Sequence, residues 1–133
     1  MPDLQLYVTD THSLLWHLYD LPRLTPTAQA AFSAVENGEA TLLIPAIVLA
    51  EIVFTVERRQ HDIDVGEILD RVAVADNYRV LPFDLRAARC LLYVTAISEM
   101  HDRMIVCEAL AHQAPLITRD EEIRNSGLVQ TVW

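Results

Sequence analysis

Four acidic residues stand in surroundings that do not otherwise favour charge. Asp10 ends an apolar run, Glu51 sits inside another, Asp102 opens a third, and Asp120 follows the short stretch Pro115-Leu116-Ile117-Thr118. Burying an unpaired carboxylate is costly unless it takes up a proton. Glu51, amid apolar residues, therefore has to face an opening, pair with an arginine or hold a cation. Carboxylates gathered in one place also repel and raise one another's pKa, so a fold that collects them needs a counter-charge. Carboxylate oxygens, together with water and substrate phosphate, are the donors that Mg²⁺ or Mn²⁺ prefers. Such an ion activates water and neutralises charge on a phosphodiester during in-line displacement. The competing readings are structural. Asp10 is then a helix N-cap sharing that task with Thr11 or Ser13, and Glu51 a partly exposed helix residue beside Glu57 and Arg58. Asp102 is a first-turn acid favoured by the helix dipole, and Asp120 a turn residue.

The elements that must position these acids are legible in the apolar patterning. Residues 4–9 read as a strand that stops at Asp10 and turns through Thr11-His12-Ser13 into a helix over 14–19. Residues 21–24 form a loop, Thr25 followed by Pro26 starts a helix, and residues 28–35 complete it up to Asn37-Gly38. Residues 41–44 are a second buried strand, closed by Pro45. Residues 46–56 are rich in β-branched side chains, but their length and alanine content predict a helix. The charged stretch 57–62 reads as a solvated helix end and loop.

A helix over 63–75 carries Val65, Ile68, Leu69 and Val72 at helical spacing, and residues 78–82 are a third strand. Asp84 caps a helix running to about Val94, with Arg86 and Arg89 on its polar side. Residues 101–112 are apolar almost all round, which predicts an internal helix. Residues 115–118 have the run of a strand buried on both faces. A turn at Asn125-Ser126-Gly127 leads to a last strand over 128–133. Strands alternating with helices predict an α/β three-layer sandwich, with a mostly parallel central sheet flanked by helices, in one domain over 1–133. Ligand crevices in such sheets lie beyond the carboxyl ends of the strands, where Asp10 and Asp120 fall. Asp102 reaches the same place if its helix packs beside that strand.

Composition bounds what the site can do. The chain has 133 residues, 52% of them hydrophobic, which argues for a substantial core. No run is long and unbroken enough to span a membrane, since Pro45 and Glu51 interrupt the longest one, and no secretory signal pattern opens the chain. Cys90 and Cys107 sit in apolar helical contexts, as reduced buried thiols of a cytoplasmic protein do, and they are close enough in pattern to touch. Formal net charge is −9, opposite to that of a generic nucleic-acid surface. All 10 basic residues are arginines, which removes phosphate-binding loops and acid-lined phosphatases that depend on a lysine. Arginine still suits bidentate phosphate contacts, and Arg103, Arg119 and Arg124 lie near Asp102 and Asp120 in sequence. With three glycines and neither Gly-x-Gly-x-x-Gly nor Gly-x-Ser-x-Gly, dinucleotide and hydrolase-elbow chemistry is disfavoured. His101 and His112 are too far apart on one helix to share a metal and read as surface or helix-end residues. Trp16, Tyr19 and Trp133 read as core or dimer-packing residues in preference to base-stacking ones.

Several short motifs, taken in order, resemble the PIN-domain ribonucleases, and most closely the VapC toxins of toxin–antitoxin pairs. They are Asp10-Thr11-His12 with the following Leu14-Leu15-Trp16, Pro45-Ala46-Ile47 leading to Glu51, Met100-His101-Asp102-Arg103-Met104-Ile105, Leu116-Ile117-Thr118-Arg119-Asp120, and the closing Val132-Trp133. The resemblance implies that Asp10, Glu51, Asp102 and Asp120 are the catalytic, metal-binding set. It implies Thr118 as a supporting hydroxyl, with Thr11 or Ser13 as lesser candidates, and Arg103 and Arg119 beside the substrate. It further implies Mg²⁺ or Mn²⁺ as cofactor, RNA as substrate cut to 5′-phosphate and 3′-hydroxyl ends, a homodimer, and a neutralising antitoxin over the cleft. The alternative on the same scaffold is a non-catalytic PIN-like module that binds RNA or protein.

Overall fold

β1 (Gln5–Thr9) is the strand around which the others are laid. The structure is a computed structural model that describes residues 4–59 and 63–133. β1 is flanked on one side by β2 (Ala40–Pro45) and β3 (Tyr78–Leu81), and on the other by β4 (Leu116–Ile117) and β5 (Thr131–Val132). The order is β3-β2-β1-β4-β5, and every pairing is parallel. The expected α/β architecture is thus realised, with a sheet that is parallel throughout the described residues. Leu42, Leu43 and Ile44 of β2 are fully buried, as an unbroken apolar run in a central parallel strand demands.

The helices follow the strands closely. They are α1 (Thr11–Leu18), α2 (Pro26–Glu36), α3 (Ala46–Arg59), α4 (Val65–Val74), α5 (Leu85–Cys90), α6 (Met100–His112) and α7 (Glu121–Ser126). Capping chemistry sets most of their starts. Asp10, Thr25, Asp64, Asp84, Glu99 and Asp120 each accept a backbone N–H of the first turn. α3 is helical despite its β-branched residues, because Val48, Ile52 and Val56 fall on one buried face. α6 buries the continuous stretch Met104–Ala109, in keeping with a helix that is apolar nearly all round.

Three expectations change. The helix after Asp84 stops at Cys90, short of Val94, because Leu91, Leu92 and Tyr93 donate to carbonyls three residues back and tighten the chain into successive turns. The strands β4 and β5 each keep only two residues of the longer apolar runs. Asn125 and Ser126, read as part of a turn with Gly127, instead end a helix, α7 over residues 121–126, which Gly127 closes at a φ of 71°. The expected loop residues Gln60, His61 and Asp62 lie outside the described residues. Among the described residues no helix is long and apolar enough to cross a membrane.

Candidate active site

The sheet order reverses direction at β1, so the gap between β1 and β4 is a topological switch point, the place where parallel sheets open a crevice at their carboxyl ends. Register fixes what stands there. Thr9 pairs with Ile117, so the next residues on the two strands, Asp10 and Thr118, emerge side by side. The Thr118 hydroxyl donates to Asp10 Oδ2 at 2.6 Å and accepts the Asp120 backbone N–H at 3.1 Å. One fully buried hydroxyl therefore fixes two of the acids. The second oxygen of Asp10 accepts the Ser13 N–H at 2.9 Å, and Asp120 Oδ1 accepts that of Ile123 at 2.9 Å. Both acids cap helices and both line the cleft, so the capping reading holds and leaves their carboxylates at the cavity wall.

α3 and α6 bring the remaining pair. Glu51, in the second turn of α3, accepts a 2.6 Å hydrogen bond from the Thr11 hydroxyl. Asp102 lies in the first turn of α6, where its backbone N–H is bonded to the N-cap Glu99 at 2.7 Å. All four acids border one cavity of about 570 Å³, whose wall also includes Glu99, Glu121, Arg119, Arg124, Trp16 and Trp133. Glu99 is a site residue that the sequence reading missed. Glutamate is not a favoured N-cap, so nothing in its type marked it, although its place three residues before Asp102 is the spacing of a cap.

The cavity is electrostatically tense. Burial first, and then the carboxylates of Asp120, Glu99, Asp10 and Glu51, push Asp102 up to about 7. Burial also raises Asp10, although the hydrogen bonds from Ser13 and Thr118 oppose it. Glu99 is held low despite its desolvation, by the Asp102 N–H and by His101, and its hydrogen bond in turn raises His101. Among the described residues no arginine stands within ion-pair distance of Asp10, Glu51, Asp102 or Asp120. Nor, among those residues, do three His, Cys, Asp or Glu side chains already stand close enough to grip a metal ion. The acids share a cavity without collapsing onto one point, as repulsion requires.

The supporting residues divide. Thr118 and Thr11 each orient an acid through the hydroxyl. Ser13 does so through its backbone, its own hydroxyl being buried without a hydrogen-bond partner among the described residues. Arg119 is exposed at the cavity, whereas Arg103 turns away from it and donates to the Ile97 carbonyl at 2.7 Å. Trp16 and Trp133 are half-buried on the cavity wall, their rings 5.9 Å apart, and Trp133 also packs against the hydrophobic core, as the core part of the core-or-dimer expectation had it. His101 is bonded to Glu99 and His112 approaches Glu108, each near an end of α6. Cys107 is buried, and that burial with Cys90 beside it pushes the thiol up to about 12, which leaves it unreactive.

The model of the PIN domain family matches residues 7–127. The chain belongs to that family. No curated protein matches the sequence. Among solved structures, this PIN domain is similar to a chain of VapBC2 from Rickettsia felis bound to a promoter DNA fragment, with a TM-score of 0.73 at 17% identity over 96% of this chain and 97% of that one. It is likewise similar to DNA-bound VapBC from Salmonella typhimurium, with a TM-score of 0.69 at 17% identity and 97% of each chain covered. FitAcB from Neisseria gonorrhoeae gives a TM-score of 0.68 at 20% identity, over 94% and 95% of the two chains. A toxin–antitoxin complex from Klebsiella pneumoniae gives 0.64 at 17% identity, over 92% and 94%. At such identities the shared property of this PIN domain is its fold.

Proposed function

We propose that this PIN domain is a metal-dependent endoribonuclease and the toxin of a toxin–antitoxin pair. The observation that carries the reading is the meeting of Asp10, Glu51, Asp102 and Asp120 in one cavity at the switch point of the sheet, oriented by hydroxyls and backbone N–H groups and paired with no arginine among the described residues. The donor set fits a hard divalent cation: it is all carboxylate oxygen, and the raised Asp102 pKa reports negative charge in need of compensation. These four residues would hold Mg²⁺ or Mn²⁺, which supplies an activated water and neutralises charge on the phosphodiester.

The chain's own side chains do the rest. Thr118 holds Asp10 by its hydroxyl and anchors the start of the α7 turn that presents Asp120. Thr11 keeps Glu51 pointed at the same cavity. Asp102, its carboxyl pushed up to about 7, is only partly ionised near pH 7 and would give up the remaining proton to a cation held beside it. Arg119 and Arg124, at the cavity, are placed to take the phosphate oxygens in the bidentate manner that suits guanidinium.

A toxin role is supported by the structural likeness to proteins solved as toxin–antitoxin complexes. A basic side chain of an antitoxin, set among these carboxylates, would replace the cation and silence the site. Action as a homodimer in the cytoplasm belongs to the same proposal. The test is cleavage of single-stranded RNA with Mg²⁺ or Mn²⁺, comparing the wild type with Asp10→Asn and Asp102→Asn. Each variant is expected to lose at least a hundredfold in rate, in line with removal of a group that acts in the transition state. Equal cleavage by all three proteins would overturn the proposal. A non-catalytic module predicts in addition no rise in Tm on adding Mn²⁺, whereas a cation site raises it by ligand linkage.

A further inference from the structure

We infer that a second cavity, sharing Trp16 with the acidic one, is a subsite for an unpaired nucleobase of the RNA strand, with the Trp16 indole as its stacking surface. The inference rests on the ribonuclease reading and extends it to how the strand is gripped. Trp16 borders both spaces: the acidic cavity and a neighbour of about 340 Å³ whose walls include His17, Asp20, Leu24, Gln29 and Ser33. That volume falls at the lower end of small-ligand sites, roughly 300–1,000 Å³, and apolar side chains line it together with an even larger share of polar surface.

The walls are firm. His17 stacks on Phe32 at 4.3 Å and is bonded to Glu36 at 2.8 Å. The chain after α1 folds back over the helix end, with Asp20 in the left-handed region at a φ of 51° and the Leu21 N–H donating to the Trp16 carbonyl at 2.9 Å. Within this frame the side chains of Asp20, Gln29 and Ser33 make no hydrogen bond among the described residues. They offer both donors and acceptors, as the edge of a base requires.

Charge points the same way. With a net charge of −9 the molecule cannot draw in a polyanion by its overall field, so contact has to be local. Arg23 and Arg119 lie over the Trp16 ring, their guanidinium carbons 5.8 and 6.0 Å from its centroid. Both are exposed, so they can leave the indole face to a base and take the flanking phosphates instead. Stacking on an aromatic ring with arginine alongside is the common means of holding single-stranded nucleic acid. A phosphodiester lying in the acidic cavity leaves its adjoining base within reach of Trp16, because that residue lines both spaces.

Trp133→Phe leaves Trp16 as the only tryptophan of the chain, so tryptophan emission reports on the surroundings of this one ring, which borders both cavities, and a base-free strand separates stacking from phosphate contact. In a Trp133→Phe, Asp102→Asn protein, a single-stranded hexa-adenylate is expected to quench Trp16 emission, while a ribose-phosphate hexamer without bases is not. Gln29→Tyr or Ser33→Tyr, at exposed positions of α2, fills the second cavity and is expected to weaken hexa-adenylate binding about tenfold, the worth of one stacked base. Equal quenching by the two hexamers, or unchanged affinity in both filled variants, would overturn the inference. Quenching by an antitoxin protein but not by hexa-adenylate would also overturn it, making the cavity a protein-docking site. The two proposals fail separately. RNA cleavage without base-dependent quenching removes the subsite and leaves the nuclease, whereas base-dependent quenching without cleavage in any divalent metal keeps the subsite and removes the nuclease.

Discussion

Thr118 shows how much of the site depends on a residue that bears no charge. Its hydroxyl is wholly buried, donates to Asp10 and accepts from the Asp120 backbone, so a single atom sets the separation between two acids on different elements. Thr118→Val keeps the shape of the side chain and removes both bonds. Leaving a buried acceptor and donor unmatched costs about 1–3 kcal/mol, and loss of an outer partner of a ligating carboxylate lowers metal affinity about 10- to 100-fold. The expected outcome is a matching drop in Mn²⁺ affinity by calorimetry together with a lower urea midpoint; an unchanged Mn²⁺ affinity would mean that Asp10 is positioned without it. The four principal acids were legible in the sequence because a carboxylate amid apolar residues is conspicuous. Glu99 was not, since it stands between the polar Ser98 and a single apolar residue, Met100, and its cap depends on a backbone turn that composition does not disclose.

At the scale of elements, the sequence exposed what repeats and concealed what is short. Helices α3 and α6 and strand β2 could be read because apolar periodicity over many residues leaves little choice. α7 could not, because its six residues bury only Ile123, and a Glu-Glu start with Gly127 beyond reads equally well as a turn. Yet α7 is what makes Asp120 a cap, and so points it at the cleft. The position of α6 depends on a different unread feature. Glu108 is a buried acid outside the cleft, held by Arg86 of α5 at 2.8 Å, and this pair ties the two helices together. Arg86 was read on the polar side of its helix; half-exposed there, it reaches in to a carboxylate whose second oxygen has no hydrogen-bond partner among the described residues. Arg86→Ala therefore strands a buried charge, and a loss of about 2–3 kcal/mol is expected, reduced from the fully buried case by the exposure of the arginine and the nearness of His112. The Arg86→Ala, Glu108→Gln double variant should recover much of it, as read by chemical denaturation. A double variant no more stable than the single one would show that the pair is not what couples α5 to α6.

The molecule as a whole carries the consequence of concentrating acids in one place while remaining acidic overall. Without a divalent ion the native state holds the Asp102 proton up to about pH 7, whereas an unfolded aspartate releases it near its ordinary value of 3.8. Between these values the native state binds more protons than the unfolded state, so stability falls as pH rises, and it levels off once Asp102 is ionised in both. Raised Asp10 and raised His101 act in the same sense, while lowered Glu36 and Glu99 act only at acid pH, where their stabilising contribution is lost as pH drops. The metal-free protein should therefore lose roughly 2 kcal/mol from pH 5 to pH 8 once solvent screening of the half-buried carboxyl is allowed for. Asp102→Asn should flatten much of that slope and equal or exceed the wild type in stability at pH 8, because a repulsion has been removed. Mn²⁺ should reverse the trend in the wild type by favouring the ionised native carboxylates, with its greatest rise in Tm above pH 7. Urea denaturation of both proteins across this range, with and without Mn²⁺, decides the matter. Parallel pH profiles for wild type and Asp102→Asn would mean that the four acids do not share one electrostatic field, and the cleft would then be a surface feature of the fold.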